Sequence, residues 1–154
     1  MSIPCRTIGI LSSVVLVSLN SARSKGNDTR AQEELANFRT ATEVYYSTNG
    51  GYSMGTAAPQ AFASGGMTVP SSDASVFSDA TTAVPLSTAS LPSNTKVYYT
   101  ENGTASAKAT SYAAVVTLSA ANSAYCVDST GNSKAETLSA APATGDMFTS
   151  GACK

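Results

Sequence analysis

Ile8-Gly9-Ile10-Leu11-Ser12-Ser13-Val14-Val15-Leu16-Val17-Ser18-Leu19-Asn20-Ser21-Ala22-Arg23-Ser24-Lys25 is the stretch around which the rest of the chain is organised. From Ile8 to Leu19 aliphatic residues fall on every side of a helical wheel, broken only by Gly and Ser, so no polar face is left to meet water. Such a helix must be buried in something. The folded remainder of the chain covers at most one stripe of it; covering all sides takes a membrane, a signal-recognition groove or copies of the same helix from neighbouring subunits. As a membrane span the run is short, because about 12 residues rising about 1.5 Å each give roughly 18 Å against about 30 Å of hydrocarbon. It does not cross alone.

Upstream, Met1 to Thr7 carries one Arg before the apolar run, as the charged start of a signal peptide does. Downstream, Ser21-Ala22-Arg23-Ser24-Lys25 offers no clean small-residue cleavage site, and the helical pattern continues past it. From Asn27 the chain turns amphipathic: Ala31, Leu35, Phe38, Thr42 and Tyr45 recur at spacings of three and four with charged residues between them. This predicts an amphipathic helix over 27–48 in which Leu35, Phe38, Tyr45 and Tyr46 pack against the sheet. Arg30, Glu33, Glu34, Arg39 and Glu43 read as a solvated face, where each pair contributes only a few tenths of a kcal/mol. Asn49-Gly50-Gly51 then ends the helix with residues that tolerate positive φ. One helix is therefore expected from about Ile8 to about Thr48.

Residues 49–94 read as a long irregular connection, since they hold four of the six prolines, Gly65-Gly66 and many Ser and Ala; Ala74 to Asp79 offers at most a helical turn. After it the period changes. Lys96-Val97-Tyr98-Tyr99-Thr100 ends at the Asn102-Gly103 turn, Tyr112 to Leu118 is apolar enough to be central, and Tyr125-Cys126-Val127-Asp128 follows the connection Ala120-Ala121-Asn122-Ser123. An antiparallel sheet over 95–129 and a loop-rich tail over 126–153 follow. The fold class is α+β: a long N-terminal helix packed on a small antiparallel sheet, with an apolar half-helix (1–25) and a globular part (26–154).

Composition narrows the function classes. With 154 residues there is chain for one domain with a real core. Charged residues make up 12% and the net charge is -1, so no basic field is present to hold a phosphate backbone, and nucleic acid is not implied as a partner. Ser and Thr exceed a quarter of the chain, a profile common among secreted surface proteins and also among merely small-residue-rich globular ones. There is no His, which removes the usual acid–base side chain and the commonest metal ligand. No Ser beside a Lys and no pair among Asp73, Asp79 and Glu101 shows a catalytic spacing, so no catalytic residue, no cofactor site and no metal site is assigned and an enzyme is not expected. Asp128, Glu136 and Asp146 are too scattered for a calcium cage. Tyr98, Tyr99, Tyr112 and Tyr125 fit either a stacking platform or, more commonly on strands, a core. Asn27-Asp28-Thr29 and Asn102-Gly103-Thr104 match the N-glycosylation pattern without a context that gives it weight. Of three Cys, an exported and oxidised chain leaves one over; the expected pair is Cys126 with Cys153, closing a loop worth about 3.6 kcal/mol in the chain-entropy treatment, with Cys5 left at the other end.

Three segments carry a family resemblance. Ile8 to Arg23 resembles the second half of the N-terminal methylation segment and helix start of bacterial type IV pilins and pseudopilins. Glu43-Val44-Tyr45-Tyr46-Ser47-Thr48-Asn49-Gly50-Gly51-Tyr52 is similar to that family's helix end and the turn after it, and Tyr125 to Gly131 with Cys153 is similar to its last strand and disulfide-bounded loop. The front departs from the pattern: Met1-Ser2-Ile3-Pro4-Cys5-Arg6-Thr7 stands where family members carry a Gly-Phe-Thr-Leu-Ile-Glu segment that is cleaved and methylated. The expectation is an N-terminally truncated or mis-started prepilin.

The resemblance implies a structural subunit of a type IV pilus-like surface filament that polymerises through Ile8, Gly9, Ile10, Leu11, Val14, Val15, Leu16, Val17 and Leu19. Its implied partners are copies of itself, other pilin subunits and the pilus assembly machinery, with the inner membrane as its station before assembly and the extracellular filament after it. A pseudopilin of a type II secretion system and a signal-anchored secreted binding or adhesive module are the alternatives.

Overall fold

The computed structural model describes residues 6–53, 60–62, 75–79, 81–87, 89–103, 107–138 and 152–153; of residues 6–13 and 60–62 it describes the backbone alone. Helix α1 (Arg6–Asn49) is 44 residues long and runs through Gly26 without interruption, about 66 Å end to end. It has two halves in different surroundings. The described side chains from Val14 to Asn27 are all exposed, whereas Ala31, Leu35, Phe38 and Thr42 form one buried stripe at spacings of four, three and four. Tyr45 continues that stripe half-buried against the core. Gly50 ends the helix at φ 68° with its N–H on the Tyr46 carbonyl at 2.7 Å, a left-handed cap that glycine adopts without a Cβ penalty. The Lys108 ammonium donates to the Asn49 carbonyl and so satisfies one of the acceptors that the helix end leaves open.

Five antiparallel strands follow in meander order: β1 (Gln60–Phe62), β2 (Val97–Glu101), β3 (Tyr112–Thr117), β4 (Ser123–Asp128) and β5 (Ser133–Thr137). In the central register Val115 lies opposite both Tyr98 and Cys126. Because side chains alternate across a strand, the sheet has two faces, and both are apolar here. One face presents Val97, Tyr99, Tyr112, Ala114, Val116 and Val127 to the helix stripe. The opposite face gathers Tyr98, Ala113, Val115, Ala124, Cys126 and Leu138, with Cys153 packed against them. Burial on both sides explains why β2 is buried along its whole length and β3 over its first five residues, and why Tyr98, Tyr99 and Tyr112 belong to the interior and form no exposed platform. The Cys126–Cys153 disulfide, with Cα atoms 6.0 Å apart, ties the chain end to this second face.

Two expectations are corrected. The connection 49–94 is not structureless: β1 pairs with β2, Ser53 bridges Ser75, residues 84–86 form a 3-10 turn, and Val76, Phe77, Leu86 and Leu91 enter the core. The turn expected near Ala74 to Asp79 is present in its described part, where the Asp79 N–H reaches the Ser75 carbonyl at 2.9 Å. The sheet also does not stop at 129. After the turn at Gly131, φ 98°, β5 adds a polar edge strand, Ser-Lys-Ala-Glu-Thr, in which Thr137 alone is β-branched and no residue is aromatic, so little in its composition announces a strand.

Candidate functional site: the bare half of the helix

Val14, Val15, Leu16, Val17 and Leu19 project from α1 with nothing over them; Val17 is 71% exposed and Leu16 61%. Ile8, Gly9, Ile10 and Leu11 lie on the same helix, their side chains outside the described residues. An exposed run of adjacent aliphatics on a helix is unusual for a monomer surface, where apolar residues stand singly. Among the described residues no helix is long and apolar enough to cross a membrane.

The globular half holds this helix at a definite seam. Among the described side chains, Asp28 is the first from the N-terminal side to be half-buried. Its Oδ1 accepts the Ser119 N–H at 2.7 Å and its Oδ2 accepts the Ser119 hydroxyl at 2.7 Å. The same hydroxyl lies 3.3 Å from the Ser24 carbonyl one turn earlier, and Arg30 donates to the Ala89 carbonyl at 3.2 Å. These contacts span 59 to 95 residues of sequence, so no local pattern announces Asp28, Arg30 or Ser119 as seam residues.

Below the seam Leu35 and Phe38 are fully buried; Phe38 stacks on Phe77 at 5.2 Å and meets Tyr112 edge-on at 5.7 Å. Tyr45 packs on the core, but Tyr46 is 38% exposed and meets Tyr52, whose ring lies 4.7 Å from Tyr46 and 4.7 Å from Tyr112 on the sheet. Tyr46 lies about 100° round the helix from Tyr45 and about 40° from Thr42, at the margin of the buried stripe in the last turns of the helix.

The charged groups serve the frame. Burial raises the Tyr112 phenol to about 12, and burial together with the Glu43 carboxylate it donates to at 3.0 Å raises Tyr52. Asp79 lies below the ordinary carboxylate range because the Thr82 N–H bonds it, with Thr81 adding to this against the effect of burial. Burial works against ionising Asp128, yet donors from Thr130, Asn132 and the Cys153 N–H outweigh it and hold this carboxyl low as well. Every shift moves a group away from neutrality, the reverse of what proton exchange near pH 7 requires. Among the described residues no three His, Cys, Asp or Glu side chains come together as metal donors. Asp146 and Cys5 lie outside the described residues.

The arrangement is an exposed aliphatic helix segment continuous with a disulfide-closed α+β domain. No family model, no curated protein and no solved structure matches the chain.

Proposed function

We propose that the chain is a structural subunit of a bacterial type IV pilus-like surface filament, with its helices packed in a central bundle and its sheet domains outside. The observation that carries this reading is the uncovered aliphatic segment Val14 to Leu19 on a helix whose other half is locked into a domain. Before assembly the inner membrane covers that segment; on assembly, protein contacts replace lipid. Lipid is as apolar as these side chains, so close packing supplies the gain, and the run's small residues Gly9, Ser12 and Ser13 allow backbones to approach. The Cys126–Cys153 staple supports a pilus subunit over a secretion pseudopilin, and among the described residues the Asp128 carboxylate accepts from Thr130, Asn132 and Cys153.

The test is to shear the surface of cells producing the chain and probe the pelleted filaments with antibody against the globular domain. The subunit is expected in the filament fraction and, in unsheared cells, in the inner membrane. Recovery solely as a soluble secreted monomer would overturn the proposal in favour of a secreted binding module.

A further inference from the structure

The place where α1 leaves the domain carries charge of one sign. The whole chain has a net charge of -1, yet over residues 20–30 and at Lys96, just before β2, the cations Arg23, Lys25, Arg30 and Lys96 stand against Asp28 alone. Lys96 belongs to this end because its N–H donates to the Thr117 hydroxyl at 2.8 Å, and the nearby Ser119 hydroxyl lies against Ser24 and Asp28 of the helix. Both Asp28 oxygens accept from Ser119, and Arg30 is turned to the Ala89 carbonyl. Arg23, Lys25 and Lys96 are exposed, and among the described residues their side chains make no hydrogen bond and no ion pair.

Resting on the membrane station of the filament reading, we propose that Arg23, Lys25 and Lys96 form a collar that binds the phosphate groups of anionic lipids. A helix lying along a membrane surface keeps its cations on one flank and its apolar residues on the other. Here the two kinds are separated along the axis: the aliphatic run is apolar on every side, and Arg23 and Lys25 project about 160° apart round the helix beyond it. That arrangement suits a rod standing into the membrane. Depth agrees with it. Arg23 lies about 6 Å and Lys25 about 9 Å beyond Leu19 along the axis, and the polar layer outside the hydrocarbon is about 5–8 Å thick on each side. With Leu19 at the edge of the hydrocarbon, Arg23 stands within that layer and Lys25 at its outer margin, where a flexible stem reaches back to the phosphates. Whatever covers Val14 to Leu19 also meets this collar, and an anionic bilayer presents hydrocarbon and negative charge at the spacing found here. Each Lys or Arg close to such a surface strengthens binding about fivefold, so the collar gives about 10²-fold, and the effect fades within a Debye length.

The full chain is mixed with preformed vesicles of phosphatidylcholine, or of phosphatidylcholine and phosphatidylglycerol in equal parts, and bound chain is measured by flotation at about 0.1 M and about 1 M salt. Binding to the mixed vesicles about 10²-fold tighter is expected at low salt, falling toward the phosphatidylcholine value at high salt. Replacing Arg23, Lys25 and Lys96 together by Gln is expected to erase the difference while leaving binding to phosphatidylcholine and the thermal midpoint unchanged. Lys108→Gln, at the other end of the domain beside Asn49, is expected to keep it. Equal binding to both vesicles, or a preference that survives the triple replacement, overturns the collar and leaves the membrane station standing. A chain that binds neither vesicle overturns both.

Discussion

Replacing Leu16 and Val17 together by Glu separates folding from assembly in one variant. Both side chains are exposed in the single chain, so the substitution removes no intramolecular contact, and Glu is a somewhat better helix former than Val. The domain's unfolding free energy is therefore expected to stay within about 0.5 kcal/mol of the parent. Association is a different matter. Each of these side chains contributes about 1.5–3 kcal/mol when fully buried, so losing both costs an assembling contact about 3–6 kcal/mol before the cost of burying two carboxylates is added. That corresponds to roughly 10²- to 10⁴-fold weaker association. The assay pairs urea denaturation followed by circular dichroism with sedimentation velocity at matched concentrations in mild detergent and after its removal. An unfolding free energy lowered by more than about 1 kcal/mol would mean that the segment packs within its own chain. Unchanged self-association would remove the bare segment from the assembly surface altogether.

Three further outcomes follow from the core and the C-terminal staple. Phe38→Ala empties the site where helix and sheet meet, between Phe77 and Tyr112, and is expected to lower stability by about 3–5 kcal/mol in chemical denaturation; a loss below about 1 kcal/mol would contradict the packing described. Replacing Cys126 and Cys153 by Ser releases a bridge between residues 27 apart and is expected to cost about 3.6 kcal/mol, read as an earlier urea midpoint that reducing agent no longer shifts. Asp128→Asn is expected to cost about 1.5–3 kcal/mol at neutral pH by weakening charge-assisted bonds from Thr130, Asn132 and Cys153. The folded carboxyl titrates below its unfolded value, so the unfolded chain binds more protons. Its contribution is accordingly present above about pH 4 and is lost as the pH falls through the folded value, which makes the gap between parent and variant narrow in acid. A gap of equal size at pH 3 and pH 7 would sink that account.

The helix was legible because its two periods are long and unbroken: aliphatic residues all round through Leu19, then the stripe Ala31, Leu35, Phe38, Thr42 and Tyr45. The central strands were legible because Tyr, Val and Ala crowd them, and the end of β2 because Asn102-Gly103 follows it. What stayed hidden depends on contacts over long separations. Phe77 sits in a stretch of Ser, Ala and Pro, yet its ring lies 3.9 Å from Tyr99, which a Gly- and Pro-rich composition gives no means of foreseeing. β5 is polar because it is an edge whose outer side meets water, and Lys134 and Glu136 there, 3.2 Å apart, are the charges an exposed edge carries. In the candidate site the apolar segment shows in sequence, while the seam residues Asp28, Arg30 and Ser119 do not, because their contacts join positions 59 to 95 residues apart.

The seam between the two halves of α1 decides how they act on one another. Gly26 lies in it with nothing within 4 Å of where a Cβ would stand, so no neighbour requires glycine there, although glycine costs a helix about 1 kcal/mol relative to alanine. On its C-terminal side the domain grips the helix through Ser119 on Asp28 and Ala89 on Arg30, exposed hydrogen bonds of about 0.5–1.5 kcal/mol each. The core beneath, from Ala31 to Thr42, buries Leu35 and Phe38 at about 1.5–3 kcal/mol apiece. A force on the projecting half therefore meets the weakest holds first.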